Sequence, residues 1–197
     1  MADYRLAAPY IEMGEGGLSR AKTDTASKYP APWTYNGYND WHTNRGITYA
    51  AFLQGSKTLG YAHTPENFFK MPNSVWNVIF KNLYWDAIQA DTIKSDALAI
   101  YAVSWLWGSG ASGGRTRLRN FFKKIGYTIT DSQIPGTINT AASKMGEKAL
   151  LEAMLEDRKQ QFIAMNQPAN LKGWLRRLER YRVNLTALIE KKKHESS

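Results

Sequence analysis

The feature that most constrains the fold is a segment in the middle of the chain that is apolar on almost every side. Residues 97–107 are nearly all apolar, and they follow Ser95 and Asp96. A helix with apolar side chains all round is buried within its protein. Since serine is a favoured N-cap residue, the sequence predicts a buried central helix that begins at this Ser-Asp pair. The glycine-rich run 108–114 is expected to break it.

Helical periodicity continues over most of the remaining chain. Thr48 and Ser74 each precede a periodic apolar segment, and both residue types are common at helix N-caps. The β-like runs are short, and residues 127–130 are the best of them. The sequence therefore predicts an all-α protein. Its other helices are expected over residues 4–13, 49–54, 75–87, 117–124, 147–165 and 171–189.

Length and composition limit the class of protein. A chain of 197 residues suits one compact domain, or two small ones that share a core. Aromatic residues make up 13% of the chain, which fits both a packed interior and a cleft in which rings stack on sugar faces. The absence of cysteine excludes disulfides and thiolate chemistry. The three histidines are scattered, so neither a metal site nor a cofactor is expected.

The formal net charge of +9 suits an anionic partner such as a nucleic acid, a membrane surface or the bacterial cell wall. Much of this charge lies between residues 172 and 193, where a solvated helix face and a basic tail explain the same pattern. Because zinc-ligand spacing and a helix-turn-helix signature are absent, we do not expect a nucleic-acid-binding protein. No apolar run reaches the ~18 residues of a membrane span.

One carboxylate stands at a position typical of a catalytic acid. Glu15 follows an apolar segment with helical spacing, and Gly16 and Gly17 come directly after it. Glycine can adopt the left-handed conformation that ends a helix, so Glu15 is expected where a helix stops and the backbone turns. A side chain at such a point can project into a cleft. A solvated surface glutamate is the simpler explanation of the local pattern taken alone.

Glu15 belongs to the first of four sequence motifs that follow one another along the chain. The tripeptide Glu-Gly-Gly at 15–17 is followed by a polar, aromatic loop and by Thr-Asn-Arg-Gly-Ile-Thr at residues 43–48. Residues 80–86 read Phe-Lys-Asn-Leu-Tyr-Trp-Asp, and residues 170–177 read Asn-Leu-Lys-Gly-Trp-Leu-Arg-Arg. This ordered set covers most of the chain, and it resembles glycoside hydrolase family 108, the lysozyme-like N-acetylmuramidases.

The resemblance implies a lysozyme-like helical fold around the buried central helix, with a fused helical module on its C-terminal side. We therefore expect a catalytic module over residues 1–90 and a peptidoglycan-binding-like module over residues 91–190 that shares the same core, followed by a basic tail over residues 191–197. The implied activity is that of a peptidoglycan hydrolase, a lysozyme that cleaves the β-1,4 bond between N-acetylmuramic acid and N-acetylglucosamine. A phage or prophage endolysin and a bacterial wall-remodelling enzyme both fit.

The implied chemistry needs a protonated carboxylic acid at the leaving oxygen and, in general, a second carboxylate. Glu15 is the expected acid. The second group stays open, because Tyr38 stands where an ungapped alignment puts the family's aspartate. Asp40 lies two residues further on and Asp24 nine residues after Glu15; we favour Asp40, although a surface aspartate without a role explains either. Thr48 is a candidate to hold an attacking water, and it is equally an N-cap.

Four further residues are expected to bind the sugar chain, namely Asn44, Tyr84, Trp105 and Ser109. Trp105 and Trp107 flank the end of the central helix, where flat rings can stack on sugar faces, and Ser109 belongs to a Ser-Gly ending that the resemblance includes. Core packing is the simpler explanation for a tryptophan on such a helix. Ser104 stands where the family commonly has an aspartate.

A catalytically inactive wall-binding or secretion-associated protein of the same fold is the main alternative, and the presence of Glu15 favours the enzyme. The expected partner is bacterial peptidoglycan, and the chain is expected to be a monomer. The N-terminus lacks a basic region followed by an apolar core, so no secretory signal peptide is expected. We expect a soluble protein that is made in the cytoplasm and acts on the periplasmic or extracellular cell wall, through a holin-like or dedicated export route.

Overall fold

Helices make up most of this protein, as the computed structural model shows for the residues that it describes, 1–14 and 16–195. Within these residues the sheet consists of two short strands, which confirms the prediction of an all-α fold. The chain forms two units. One combines Met1–Met13 with Leu83–Ser197, and the other is Gly14–Asn82. The predicted modules with boundaries at residues 90 and 190 stay a prediction.

The N-terminal segment is helical only in short pieces. Helix α1, Ala8–Ile11, is flanked by two 3-10 helices at Tyr4–Leu6 and Glu12–Gly14. A continuous helix over residues 4–13 is therefore wrong. Pro9 is the physical reason, because proline has no backbone N–H for an interior helical hydrogen bond and is tolerated only in the first turn.

The unit Gly14–Asn82 contains a small antiparallel hairpin. Strand β1, Thr43–Asn44, pairs with β2, Ile47–Thr48, so that Thr43 lies opposite Thr48. Arg45 and Gly46 form the turn with φ of +49° and +75°. Positive φ at both central residues defines a type I′ turn, whose twist matches that of the strands. The segment predicted as the best strand, 127–130, lies outside the sheet. That prediction is wrong because Thr130 instead opens a 3-10 helix, Asp131–Gln133, through a capping box with Gln133.

Three helices follow in the same unit: α2 Tyr49–Thr58, α3 Pro65–Phe69 and α4 Asn73–Phe80. Thr48 caps α2, since its Oγ1 accepts a hydrogen bond from the Ala51 amide at 3.2 Å, and Thr64 caps α3 in the same way. The N-cap predicted at Thr48 is therefore confirmed. Phe52, Phe68 and Trp76 are fully buried among these helices.

A single helix over residues 75–87 is wrong. Helix α4 begins at Asn73 after Pro72 and ends at Phe80, and the chain continues as a π-helix, Lys81–Trp85. Tertiary packing overrides the helical periodicity here. Trp85 is fully buried, and its Nε1 donates a hydrogen bond of 2.7 Å to the Asp91 carboxylate. π-Helical turns are rare and occur mostly as single turns in continuity with α-helices, as here after α4.

The predicted central helix is confirmed as α5, Asp96–Lys124, with Ser95 as its N-cap. Its first half is buried almost completely. The expected break falls at Gly110, whose φ of +72° and ψ of 157° are not helical. At Gly114 a Cβ would lie 2.4 Å from the Leu106 Cα, although residues eight apart in a straight helix are about 12 Å apart. The chain therefore turns back at the glycine-rich run, and the two arms of α5 pack on each other.

Helices α6 (Ile134–Met145), α7 (Glu147–Ala164) and α8 (Pro168–Glu195) pack against α5 and against one another. The buried stripe of α8 has the 3–4 spacing of a helix face and consists of Leu178, Tyr181, Leu185 and Ile189. This helix is longer than the predicted 171–189 and includes most of the predicted tail. Lys192 forms an ion pair with Asp96, which is 3% exposed.

Candidate active site

The residue predicted as the general acid, Glu15, lies outside the described residues, and its role stays a prediction. Its surroundings along the chain are described. The 3-10 helix Glu12–Gly14 precedes it, and Ser19 shortly after it forms a β-bridge with Thr43. The Ser19 amide donates to the Thr43 carbonyl at 2.9 Å, and the Ser19 carbonyl accepts from the His42 amide at 3.0 Å. The segment that follows Glu15 is therefore joined to the hairpin.

The buried side chain of His42 adds hydrogen bonds between the segment after Glu15 and the hairpin. The side chain is fully buried, and Nε2 lies 3.1 Å from the Ala21 carbonyl oxygen. Because a carbonyl only accepts hydrogen bonds, Nε2 carries a proton. In the neutral ring Nδ1 then accepts from the Thr43 hydroxyl, at 2.9 Å. In the sequence His42 is one of three scattered histidines; its burial depends on contacts across 21 residues of chain and has no local signal.

Asn44, predicted to bind substrate, has its amide group inside the unit. It is 4% exposed, and Nδ2 donates to the carbonyl oxygens of Phe68 and Phe69 at 2.7 and 3.0 Å. These carbonyls belong to the last turn of α3, where the helix itself offers no donors. The neighbouring Arg45 donates to the Met71 carbonyl at 2.7 Å. The hairpin thus anchors the end of α3, and a substrate contact by Asn44 stays a prediction.

Thr48 is half-buried at the start of α2. Its Oγ1 accepts from the Ala51 amide, and a hydroxyl has one donor and a second lone pair besides. Capping therefore leaves the hydroxyl able to bind a water. The capping role is observed, and the water-binding role stays a prediction.

The two candidates for the second carboxylate have different surroundings. Asp24 caps the 3-10 helix Thr25–Lys28, because its Oδ1 accepts from the Ala26 amide at 3.0 Å. Asp40 is exposed and has a left-handed backbone with φ of +65°. Among the described residues it forms neither a hydrogen bond nor an ion pair through its carboxylate. Aspartate adopts the left-handed conformation more readily than most residues with a Cβ, as turns require. Asp24 thus has a structural function, whereas the Asp40 carboxylate has no hydrogen-bond or ion-pair partner among the described residues.

An aromatic turn lies immediately before Asp40, within the segment that was expected to be a polar, aromatic loop. Tyr35 and Tyr38 exchange backbone hydrogen bonds of 2.9 and 3.0 Å around an Asn-Gly pair. Trp41 Nε1 donates to both of their carbonyls. The Tyr38 ring is 52% exposed, and the Arg20 guanidinium lies 4.0 Å from its centroid. Asn-Gly between aromatic residues is a hairpin signal that sequence alone provides.

The other predicted site residues lie in the unit that contains α5. Tyr84 is half-buried, and its ring lies 4.8 Å from that of Trp107. Trp105 is 1% exposed, so core packing accounts for most of its surface. Ser109 accepts a hydrogen bond of 3.2 Å from Arg158. Trp105 and Ser109 both line one cavity, together with the arginine that sequence analysis did not single out.

Two absences hold for residues 1–14 and 16–195. Within this part of the chain, histidines and carboxylates do not gather in a group of three or more that could ligate a metal ion. Over the same residues, no helix combines the length and the apolar character needed to cross a membrane.

The architecture is similar to a solved structure described as that of Brucella abortus SagA. The two share 17% sequence identity and align with a TM-score of 0.63 over 94% of each chain. At this identity the likeness concerns the fold alone. No curated protein sequence matches the chain.

The family is shown by sequence. A sequence model described as Glycosyl hydrolase 108 matches residues 8–110, slightly more than half of the chain. The protein therefore belongs to glycosyl hydrolase family 108. The matched range contains Glu15, the hairpin and the first arm of α5.

Proposed function

We propose that this protein is a peptidoglycan hydrolase that cleaves the β-1,4 bond between N-acetylmuramic acid and N-acetylglucosamine. The observation that carries the proposal is the family match over residues 8–110, because this range includes every residue assigned to the site by sequence. The bond is an acetal, and its cleavage near neutral pH needs proton transfer to the leaving oxygen. Glu15 supplies that proton in the proposed mechanism.

Asp40 is the proposed second carboxylate. Its exposed carboxylate has no hydrogen bond or ion pair with the other described residues, so it can approach a substrate without breaking one. It acts as base toward water or as nucleophile, and the carboxyl separation would distinguish these: about 6.5–9.5 Å suits inversion and about 5–5.5 Å suits retention. Thr48 is proposed to position the water through the donor that capping leaves unused.

Substrate recognition is proposed to use two sets of residues. Tyr84 and Ser109 are half-buried and offer a ring and a hydroxyl to sugar hydroxyls and faces. Asn44 and Trp105 are buried, so we assign them to holding the hairpin and the end of the first α5 arm in place, each within its own unit. The net charge of +9 favours attraction to the anionic wall, on which a single chain acts at the periplasmic or extracellular side.

Turbidity clearing of purified cell walls, with mass analysis of the released fragments, tests the proposal. Fragments with reducing N-acetylmuramic acid ends are expected. Glu15→Gln keeps the side-chain shape but removes the transferable proton, so clearing should slow by at least ~10²-fold. Glu66→Gln is the matched control, because Glu66 is an exposed partner of Lys70 in the same unit and such pairs contribute little to stability.

Two results would contradict the proposal in different ways. If Glu15→Gln clears walls at the wild-type rate, this residue is not the acid. If the wild-type protein sediments with walls but releases no fragments, the protein is a wall binder without hydrolase activity.

A further inference from the structure

The unit that contains α5 to α8 buries an arginine without a carboxylate partner. Arg158 on α7 is 6% exposed. Its Nη1 donates to the Gln161 Oε1 at 2.8 Å and its Nη2 to the Ser109 Oγ at 3.2 Å. Among the described residues it makes no ion pair. These two contacts use two of the five guanidinium N–H donors, so the others stay available.

The hydrogen-bond acceptors nearest to Arg158 already bind other groups. Gln161 Oε1 also accepts from Arg117 Nη1 at 3.0 Å, so two guanidinium groups share one neutral oxygen. Asp157, the adjacent carboxylate, pairs with Lys124 and accepts from the Gln161 amide at 2.6 Å. Among the described residues, Arg158 therefore donates hydrogen bonds to neutral groups only, and Asp157, which attracts its charge, is already paired with Lys124.

A cavity of about 240 Å³ lies against this arginine, within the α5–α8 unit. Arg117, Arg158 and Arg177 all line it, as do the aromatic rings of Trp105, Phe162 and Trp174. The Arg158 guanidinium lies over the Phe162 ring at 4.6 Å, and Phe162 stacks on Trp174 with centroids 4.9 Å apart. The lining thus combines a positive wall with flat apolar faces.

Two more polar groups on the lining are buried without a well-formed hydrogen bond. The Tyr101 hydroxyl and the Trp105 Nε1 interact with each other, but in the described part of the chain neither has a partner at hydrogen-bond geometry. Burial and the neighbouring Arg117 lower the pKa of Arg158 to about 10. Unpaired buried charges and donors are costly, and an oxyanion in the cavity would compensate both.

We propose that this cavity binds a small organic anion, in which a carboxylate or phosphate group meets Arg158 and Arg117 and an attached ring lies against the aromatic side chains. Guanidinium groups bind both oxyanions through paired hydrogen bonds, so the chemistry is shared by the two sources. The site uses Trp105 and Ser109, which also belong to the proposed hydrolase site, but it does not depend on Glu15. Binding is measured without hydrolysis, so the two proposals can fail separately.

Calorimetric titration of the full chain with three sugars tests the proposal. N-acetylmuramic acid carries a carboxylate, N-acetylglucosamine 6-phosphate carries a phosphate, and N-acetylglucosamine is neutral. We expect at least one anionic sugar to bind ~10-fold or more tightly than the neutral one, since hydrogen bonds to charged groups are the strong ones. The tighter of the two anions identifies the source.

Variants locate the binding. Arg158→Gln and Arg117→Gln should each weaken binding of the preferred anion ~10-fold or more. Arg119→Gln is the matched control, because Arg119 lies on α5 like Arg117 but pairs with Asp131 and does not line the cavity. Should Arg158→Gln fail to fold, the half-buried Arg117 carries the test. Equal affinity for the neutral sugar, no binding of either anion, or unchanged affinity in the folded Arg117 variant would each overturn the proposal.

Discussion

Removing the charge of Asp40 or of Asp24 should affect the rate of wall clearing differently. Asp40→Asn keeps the shape and removes the base, so wall clearing should fall about as strongly as for Glu15→Gln, by ~10²-fold or more. Asp24→Asn should change clearing little, because an asparagine oxygen can also accept from the Ala26 amide and maintain the cap. The measurement is the initial clearing rate of the two folded variants. A rate loss confined to Asp24→Asn would reverse the assignment.

Thr48 separates a structural role from a chemical one. Thr48→Val removes the N-cap of α2 and should lower the free energy of unfolding by about 1 kcal/mol. Thr64→Val removes the equivalent cap of α3 and serves as the control. If Thr48 also positions water, only its valine variant should lose clearing rate at a temperature where both variants are folded, and Thr48→Ser should restore it. Equal clearing by the two valine variants would leave Thr48 as a cap alone.

At the scale of elements, the turn within α5 depends on Gly114. A Cβ there would lie 2.4 Å from the Leu106 Cα and 2.6 Å from its backbone nitrogen, which no rotamer change can relieve. Gly114→Ala should therefore destabilise the fold by about 1–3 kcal/mol, as overpacking of a closed contact does. Chemical denaturation measures the difference.

Gly113→Ala is the control for this contact. Its Cβ would meet nothing closer than the Ser109 Cβ at 3.4 Å, and alanine is favoured over glycine in helices by up to ~1 kcal/mol. The variant should be neutral or more stable. If both alanine variants have the same stability, the two arms of α5 do not rely on close contact at Gly114.

At the scale of the whole α5–α8 unit, Asp96 connects distant parts of the chain. Its Oδ1 accepts from the Asp3 amide at 2.8 Å, and its Oδ2 pairs with Lys192 near the end of α8. Lys192→Met should lower the free energy of unfolding by about 1–3 kcal/mol, because a buried carboxylate loses its cation. Lys191→Met is the control, since among residues 1–14 and 16–195 the ion pair of Lys191 is with the exposed Glu195. Unfolding of both variants by urea distinguishes them.

The ion pair between Lys192 and Asp96 also determines how its contribution to stability changes with pH. The hydrogen bond with Asp96 raises the pKa of Lys192. A cation whose pKa is higher in the folded state contributes its full stability below its unfolded value, about 10.4, and loses it as the pH rises through the folded value. The difference between wild type and Lys192→Met should therefore be constant near neutral pH and shrink only above about pH 10.4.

The net charge makes a separate prediction for the whole molecule. If attraction to anionic wall polymers brings the protein to its substrate, binding to walls should weaken steeply between ~0.05 and ~0.5 M salt, since the Debye length shortens several-fold. Turnover of short soluble glycan fragments should change much less. Sedimentation with walls and fragment assays on one preparation compare the two. Wall binding that does not change with salt concentration would contradict the electrostatic role of the net charge, but it would not contradict the hydrolase proposal.

Local signals in the sequence were sufficient for much of the helical architecture. The N-caps at Thr48 and Ser95, the buried first arm of α5 and its interruption by glycine all follow from residue preferences over a few positions. The family also could be recognised, because its motifs are short and occur in a fixed order along most of the chain. N-caps and helix breaks depend on residues within about one helical turn of each other, so the sequence by itself determined them.

Contacts between distant segments were decided only by the tertiary structure. The π-helix at Lys81–Trp85 reflects the burial of Trp85, and the two-residue strands around Arg45 are too short for an alternating pattern to reveal. In the sequence, Arg158 looks like an ordinary surface charge of an amphipathic helix, but it is buried where α5 packs on α7 and places Ser109 beside it. Burial and pairing depend on which faces meet across dozens of residues, and local preference contains no information about that.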